Sequence, residues 1–220
     1  MSVPLDAILF DVDGVLIDSL PIKGEAFAAA FDDRTDLHDQ IVAFHLANGG
    51  VNRTEKIAQL YALAFGRAPA SDELSARVDA FARAVYDGVV RAPEIPGAAA
   101  ALSSWSGKVP LHAVSATPQD ELSLILVARG IAPYLTTIEG WPPPKVELVG
   151  SLIRRCGYQP ERCLVVGDSR EDLVAAKTAG ALFVHVCSSE LDGFPEANAV
   201  IRDLRGLDAA IQHLVGPAGE

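Results

Sequence analysis

Short apolar runs rich in β-branched residues, spaced by helix-length segments, constrain this chain more than any other feature. Ala7–Phe10, Leu111–Val114, Cys163–Val166 and Leu182–Val186 read as buried strands. Between them, Pro118–Arg129 opens on a proline and is followed by Gly130. Val146–Cys156 is followed by Gly157 and Glu171–Ala179 by Gly180. Proline at the start and glycine just past the end mark helix termini. Strands alternating with helices predict βαβ units and a parallel sheet covered on both faces. Ala199–Ile201 adds a short edge strand and Leu207–Leu214 a last helix, before the loose tail "GPAGE".

From Pro21 to about Arg91 this rhythm lapses. Ile22–Phe31, Thr35–Ala47, Arg53–Phe65 and Ser71–Val90 carry only the helical period, and no strand stands out. The two-proline stretch Ala92–Gly97 then acts as a hinge, and the alternation resumes. The predicted organisation is a doubly wound, Rossmann-like α/β core built from residues 1–19 and 93–220, with an α-helical cap domain, 20–92, inserted after the first strand.

The bulk numbers narrow the function. The net charge is −11, from 29 acidic and 18 basic residues. That excludes a phosphate-backbone binder, which needs basic surface to displace counterions, but not a small anionic substrate. Half the residues are hydrophobic, yet no apolar run reaches the roughly 18 residues of a membrane span. The amino terminus lacks the basic start of a signal peptide, so a soluble cytoplasmic protein is expected. Cys156, Cys163 and Cys187 fall at no metal-like spacing; Cys163 and Cys187 read as reduced core residues.

Ligand sites in open parallel sheets lie at the carboxyl ends of the strands. Asp11 and Asp13 follow the first predicted strand, and Ser115, Ala116 and Thr117 the second. Asp168 and Asp172 follow the third, with Lys145 opening the helix before it. So many carboxylates share a small site only with a cation, since like charges raise one another's pKa. Hard oxygen ligands favour Mg²⁺, while a lysine and hydroxyl donors supply the walls a phosphoryl group requires. One carboxylate can attack phosphorus; a second, two residues on, can protonate the leaving oxygen.

"DVDGVLIDS", "SAT", Lys145 and "GDSRED", in that order, resemble the four signature motifs of the haloacid dehalogenase superfamily, in its phosphoglycolate phosphatase and phosphoglucomutase-like branch. The resemblance runs from the first strand to about Val186, and the helical insert stands where that family carries its cap. It implies Asp11 as nucleophile and Asp13 as general acid and then base. Ser115 and the Ala116 backbone would bind the phosphoryl oxygens, with Lys145 neutralising nucleophile and phosphate. Asp11, Asp168, the Asp13 carbonyl and Asp172, directly or through water, would hold Mg²⁺. The departure is at the lysine: many relatives read Lys-x-Pro, whereas here the prolines of "PPPKVEL" come first. Asp13 itself points to phosphate-ester chemistry, because dehalogenating and phosphonate-cleaving relatives replace it. The implied activity is a Mg²⁺-dependent phosphatase acting on a small phosphorylated metabolite through an aspartyl phosphate. The alternatives are a phosphosugar mutase on the same scaffold and a non-enzymatic phospho-acceptor or binding module.

Other residues read more plainly. Thr117, before Pro118, and Ser169 are expected to cap helices. Asn52 with Glu55 reads as a capping box behind the "NGG" loop; Arg53 and Lys56 at that helix start make an anion site facing the substrate. His38, His45, His112, His185 and His213 have no ligand spacing and read as structural or surface residues.

Overall fold

The structure is a computed structural model that describes residues 5–187 and 194–215; the tail "GPAGE" lies outside the described residues. Strands β1 (Ala7–Phe10), β2 (Leu111–Pro118), β3 (Thr137–Trp141), β4 (Cys163–Gly167), β5 (Leu182–Val186) and β6 (Ala199–Ile201) form one sheet. Every pairing is parallel and the order is β3-β2-β1-β4-β5-β6. The chain winds outward from β1 in both directions, so the switch point falls at β1, between β2 and β4.

The pleat of β1 feeds two cores. Ile8 and Phe10 join the larger cluster with helices α5 (Ala98–Trp105), α6 (Gln119–Ala128) and α9 (Leu207–Val215). Ala7 and Leu9 join the smaller one with α7 (Lys145–Cys156) and α8 (Arg170–Ala179). That is why all four positions are apolar: a central parallel strand has no wet face. Full burial of Leu9 and Phe10 contributes roughly 1.5–3 kcal/mol each.

Between β1 and α5 come four helices: α1 (Leu20–Ala29), α2 (His38–Ala47), α3 (Arg53–Phe65) and α4 (Ser71–Arg91). They close on Phe27 and Phe81, whose ring centroids are 4.2 Å apart, and on Phe31, Ile41, Ile57, Leu60 and Val85. The chain enters and leaves this helical insert through one gate. Asp18 N donates to Pro93 O at 2.9 Å and Ile95 N to Leu16 O at 3.2 Å, with Ile17 and Glu94 as an antiparallel bridge.

The structure corrects several sequence expectations. β3 was not anticipated: it pairs only with β2, and its residues TIEGW are mostly half-exposed, so it lacks the apolar run of a central strand. The helix expected from Thr35 begins at His38, because Asp32–Leu37 is a 3₁₀ stretch with Arg34 in a non-helical conformation. The second strand runs on to Pro118, which leaves Thr117 in the sheet rather than at a helix cap. Cys187 stands just past β5 and is half-buried rather than core. No helix among the described residues is long and apolar enough to cross a membrane.

Candidate active site

The ends of β1 and β4 bring the predicted acids together, with the hydroxyls of β2 beside them. Asp11 leaves β1 with its backbone N–H still on Val166 O at 2.9 Å, and its Oδ1 accepts from Val12 N at 2.7 Å. Lys145, the first residue of α7, is 6% exposed and places Nζ 2.8 Å from Asp11 Oδ2 and 2.7 Å from Asp172 Oδ1. The prolines before Lys145 therefore do not keep it from the acids. Asp172 also closes a capping box on α8: its Oδ2 accepts from Ser169 N at 3.2 Å and from Ser169 Oγ at 2.5 Å. Ser169 is thus the cap the sequence predicted, and Asp172 serves both the helix and the site.

Asp168 completes the cluster. Carboxylate oxygens of Asp11, Asp168 and Asp172 lie within 4.8 Å of one another. Gly14, at φ +81°, makes the approach possible, since a Cβ there would come within 2.2 Å of Asp168 Oδ2. His185 anchors the loop from below, its Nε2 donating to the Asp168 carbonyl at 3.1 Å. One ammonium among three carboxylates leaves an excess of negative charge. Burial first, and then Asp172, push Asp11 well above the usual carboxylate range and Asp168 up to about 7. Such a set of hard oxygens short of positive charge fits a small divalent cation.

Asp13, two residues on, faces the other way. Ser19 Oγ donates to its Oδ1 at 2.5 Å, while Lys23 Nζ donates to Oδ2 at 2.6 Å. Burial would raise its pKa, but the Lys23 charge and these hydrogen bonds prevail and hold it down at about 2. Thr117 Oγ1 donates to the same Oδ2 at 3.2 Å and Ser115 Oγ approaches it at 3.5 Å. Thr117, expected at a helix cap, is thus part of the site wall.

The insert roofs this floor. Lys23, Phe27, His45, Arg53, Lys56 and Phe81 line one cavity with Asp11, Asp13, Ser115, Ala116, Lys145 and Asp168. Asn52 caps α3 by accepting from Glu55 N at 3.0 Å, as expected. Arg53, one residue on, reaches the cavity with its guanidinium over the Phe81 ring and 2.5 Å from Glu121 Oε1 on α6. Lys56 lies 3.1 Å from His45 Nδ1; burial chiefly, with Lys23 next, brings it down to about 8. His45, expected to be merely structural, therefore lines the cavity. The loop before α3 seals the edge: Gly50, at φ +80°, sits so close to α8 that a Cβ would stand 2.7 Å from Glu171 Cβ and 2.8 Å from Ser169 Oγ.

Sequence reasoning missed Lys23, His45, Phe27 and Phe81. The signal for Lys23 was present. It is the one lysine on α1, a turn after Ser19 and a turn before Phe27, on a face that otherwise buries Gly24, Ala26 and Phe27.

Acids on two strand ends at a switch point, hydroxyls on a third, a lysine among them and helices above define an α/β enzyme of the doubly wound class. Residues 5–180 match the haloacid dehalogenase-like hydrolases, and the chain belongs to that family. It is 29% identical over 189 residues to a phosphoglycolate phosphatase of Rhodospirillum rubrum, covering 79% of this chain and 76% of that one. It is 28% identical to the validoxylamine A 7'-phosphate phosphatase of Streptomyces hygroscopicus subsp. limoneus, covering 89% and 92%. Among solved structures, CbbY of Rhodobacter sphaeroides in complex with xylulose-(1,5)bisphosphate superposes with a TM-score of 0.75 at 20% identity, covering 94% of this chain and 99% of that one. That likeness speaks for the fold alone.

Proposed function

We propose that this hydrolase is a phosphatase that removes the phosphoryl group from a small phosphorylated metabolite by way of an aspartyl phosphate on Asp11. One observation carries the reading: Asp11 is held on Lys145 at the floor of the cavity that Asp13, two residues on, also lines. The phosphatases to which the chain is similar support it.

Asp11 attacks phosphorus, and the bond from phosphorus to the ester oxygen breaks. Asp13 gives that oxygen a proton, which it can carry only once Lys23 no longer holds it ionised. Asp13 then takes a proton from water, whose oxygen attacks phosphorus and breaks the bond to Asp11, so that phosphate and free Asp11 are restored. Lys145 offsets the charge of Asp11 and of the phosphoryl oxygens, and Ser115 Oγ with the Ala116 backbone donates to those oxygens. The acid cluster suits Mg²⁺: Asp11, Asp168 and the Asp13 carbonyl would hold it, with Asp172, both of whose oxygens are already engaged, reaching it through water. When bound, the ion supplies positive charge to the phosphoryl oxygens. Residues 20–92 act as a cap that excludes bulk water and selects the leaving group.

The test is release of inorganic phosphate from p-nitrophenyl phosphate and a panel of phosphorylated metabolites, with Mg²⁺ and with chelator. Release should need the metal. Asp11→Asn, which keeps the shape but loses the attacking charge, should lower it by about three orders of magnitude or more with folding intact. Retention of about a tenth of the activity by that variant would replace covalent attack with activation of water.

A further inference from the structure

Asp168 is the first residue past β4. The last rung before it pairs Gly167 with His185 of β5, so the Asp168 carbonyl lies beyond the ladder. His185, 2% exposed, takes over from the neighbouring strand, with Nε2 3.1 Å from that carbonyl oxygen. The other ring nitrogen settles the tautomer. Phe194 N donates to Nδ1 at 3.4 Å, so Nδ1 is an acceptor and Nε2 carries the proton of a neutral ring. The ring is also stacked, with centroids 4.2 Å from Phe194 and 6.1 Å from Phe183.

That one hydrogen bond bears on two of the clustered acids. Fixing the Asp168 carbonyl fixes the ψ angle of Asp168, and with it the direction in which the chain leaves for α8. The N–H of the same peptide, on Ser169, donates to Asp172 Oδ2 at 3.2 Å. The Asp168–Ser169 peptide is therefore held at its oxygen by His185 and at its nitrogen by Asp172. On the carboxylate side, Gly14 stands so near that a Cβ there would collide with Asp168 Oδ2. Backbone and side chain of Asp168 are thus both confined, and its separation from Asp172 is set from outside the cluster. Cations differ in how much such confinement matters to them. Mg²⁺ demands near-ideal octahedral geometry with ligands at about 2.0–2.1 Å, whereas Ca²⁺ accepts more ligands at longer, looser distances.

We propose that His185 is a positioning residue for the metal site, which by holding the Asp168–Ser169 peptide favours a small octahedral cation over Ca²⁺. It acts through that peptide alone. The inference rests on the reading of the acid cluster as a cation site.

The test needs no substrate: binding of Mn²⁺, read from the electron paramagnetic resonance of the free ion, and its displacement by Mg²⁺ and by Ca²⁺. His185→Phe keeps the ring stacks and loses the donor. His185→Gln carries an amide N–H to about where Nε2 stands, and His185→Asn leaves it one carbon short. His185→Phe and His185→Asn should bind Mn²⁺ and Mg²⁺ about ten- to a hundredfold more weakly, the range for losing a hydrogen bond that orients a ligand. Their affinity for Ca²⁺ should fall by only about threefold. His185→Gln should stay within about threefold of wild type for all three ions. A merely structural histidine would weaken Mg²⁺ and Ca²⁺ by one factor, and that result overturns the proposal. So does His185→Asn that binds Mn²⁺ as tightly as wild type, or His185→Gln that binds it as weakly as His185→Asn. Should His185→Phe fail to fold, the comparison of His185→Asn with His185→Gln decides. A wild type that leaves Mn²⁺ free would remove the metal reading itself and the proposal with it, whereas a wild type that binds the ion with variants that match it removes only the role of His185.

Discussion

Lys145 Nζ lies 2.8 Å from Asp11 and 2.7 Å from Asp172, one ammonium shared by two buried carboxylates. Removing one partner of a buried ion pair costs about 3–5 kcal/mol, because the charges left behind are uncompensated. Lys145→Met should therefore lower the thermal midpoint markedly in chelator. Mg²⁺ should recover more of that loss in the variant than it adds to wild type, since the variant holds the same carboxylates with less positive charge. Thermal unfolding of both proteins with and without the ion checks this; equal gains would mean that lysine and metal do not share the same acids.

Gly50 differs from Gly66 in what surrounds it. Both have positive φ, +80° and +70°, but a Cβ at Gly66 meets nothing within 4 Å, whereas at Gly50 it meets Glu171 and Ser169. Gly66→Ala should cost only the left-handed backbone penalty, about 1–2 kcal/mol. Gly50→Ala should cost that and also push the loop off α8, lowering kcat/KM on p-nitrophenyl phosphate by about tenfold or more. Equal kinetics for the two variants would show that the loop does not need its seat on α8.

Arg53 lines the cavity with its Nη2 held on Glu121 Oε1. Its pairing with Glu121, both side chains largely buried, ties α3 to α6 across the cavity edge. Arg53→Ala should weaken a natural substrate and p-nitrophenyl phosphate by a similar factor, with about 1.5–3 kcal/mol of lost contact, and Glu121→Gln should do the same in smaller measure. A loss confined to the natural substrate would instead make Arg53 a substrate ligand. Steady-state kinetics on the two substrates decides.

His45 carries a pH signature. Burial first, and then Lys56, bring its pKa from 6.5 down to about 3. Below pH 6.5 the unfolded chain takes up a proton that the folded protein refuses, so this residue costs stability increasingly as pH falls toward 3. In His45→Leu that cost is absent. The thermal midpoint of wild type minus that of the variant should therefore decrease between pH 7 and pH 4, and parallel curves would contradict the assignment.

The strands that surround β1 were legible in the sequence because burial on both faces demands unbroken apolar runs, and β4 and β5 have them. β3 was not, because an edge strand with Ile138 and Glu139 half in solvent carries no such mark. The acids were legible for a related reason: Asp11, Asp13 and Asp168 interrupt or end those runs where only chemistry would tolerate a charge. Lys23 could be read as inward from its place on the buried face of α1, but not as a partner of Asp13, and nothing in the spacing of His45 reports that the fold will set it against Lys56. Contacts of that kind exist only after the insert has folded over the sheet.

The single gate at Leu16–Asp18 and Pro93–Ile95 has an evolutionary consequence. The two crossings are zipped to each other, so from the standpoint of the sheet everything between them is one long loop with its ends already joined. Lineages can lengthen, replace or re-sculpt that loop without renegotiating a single strand pairing. Asp11, Asp13, Asp168 and Asp172 all stand on the sheet side of the gate, so such a change of roof would leave their anchorage in place.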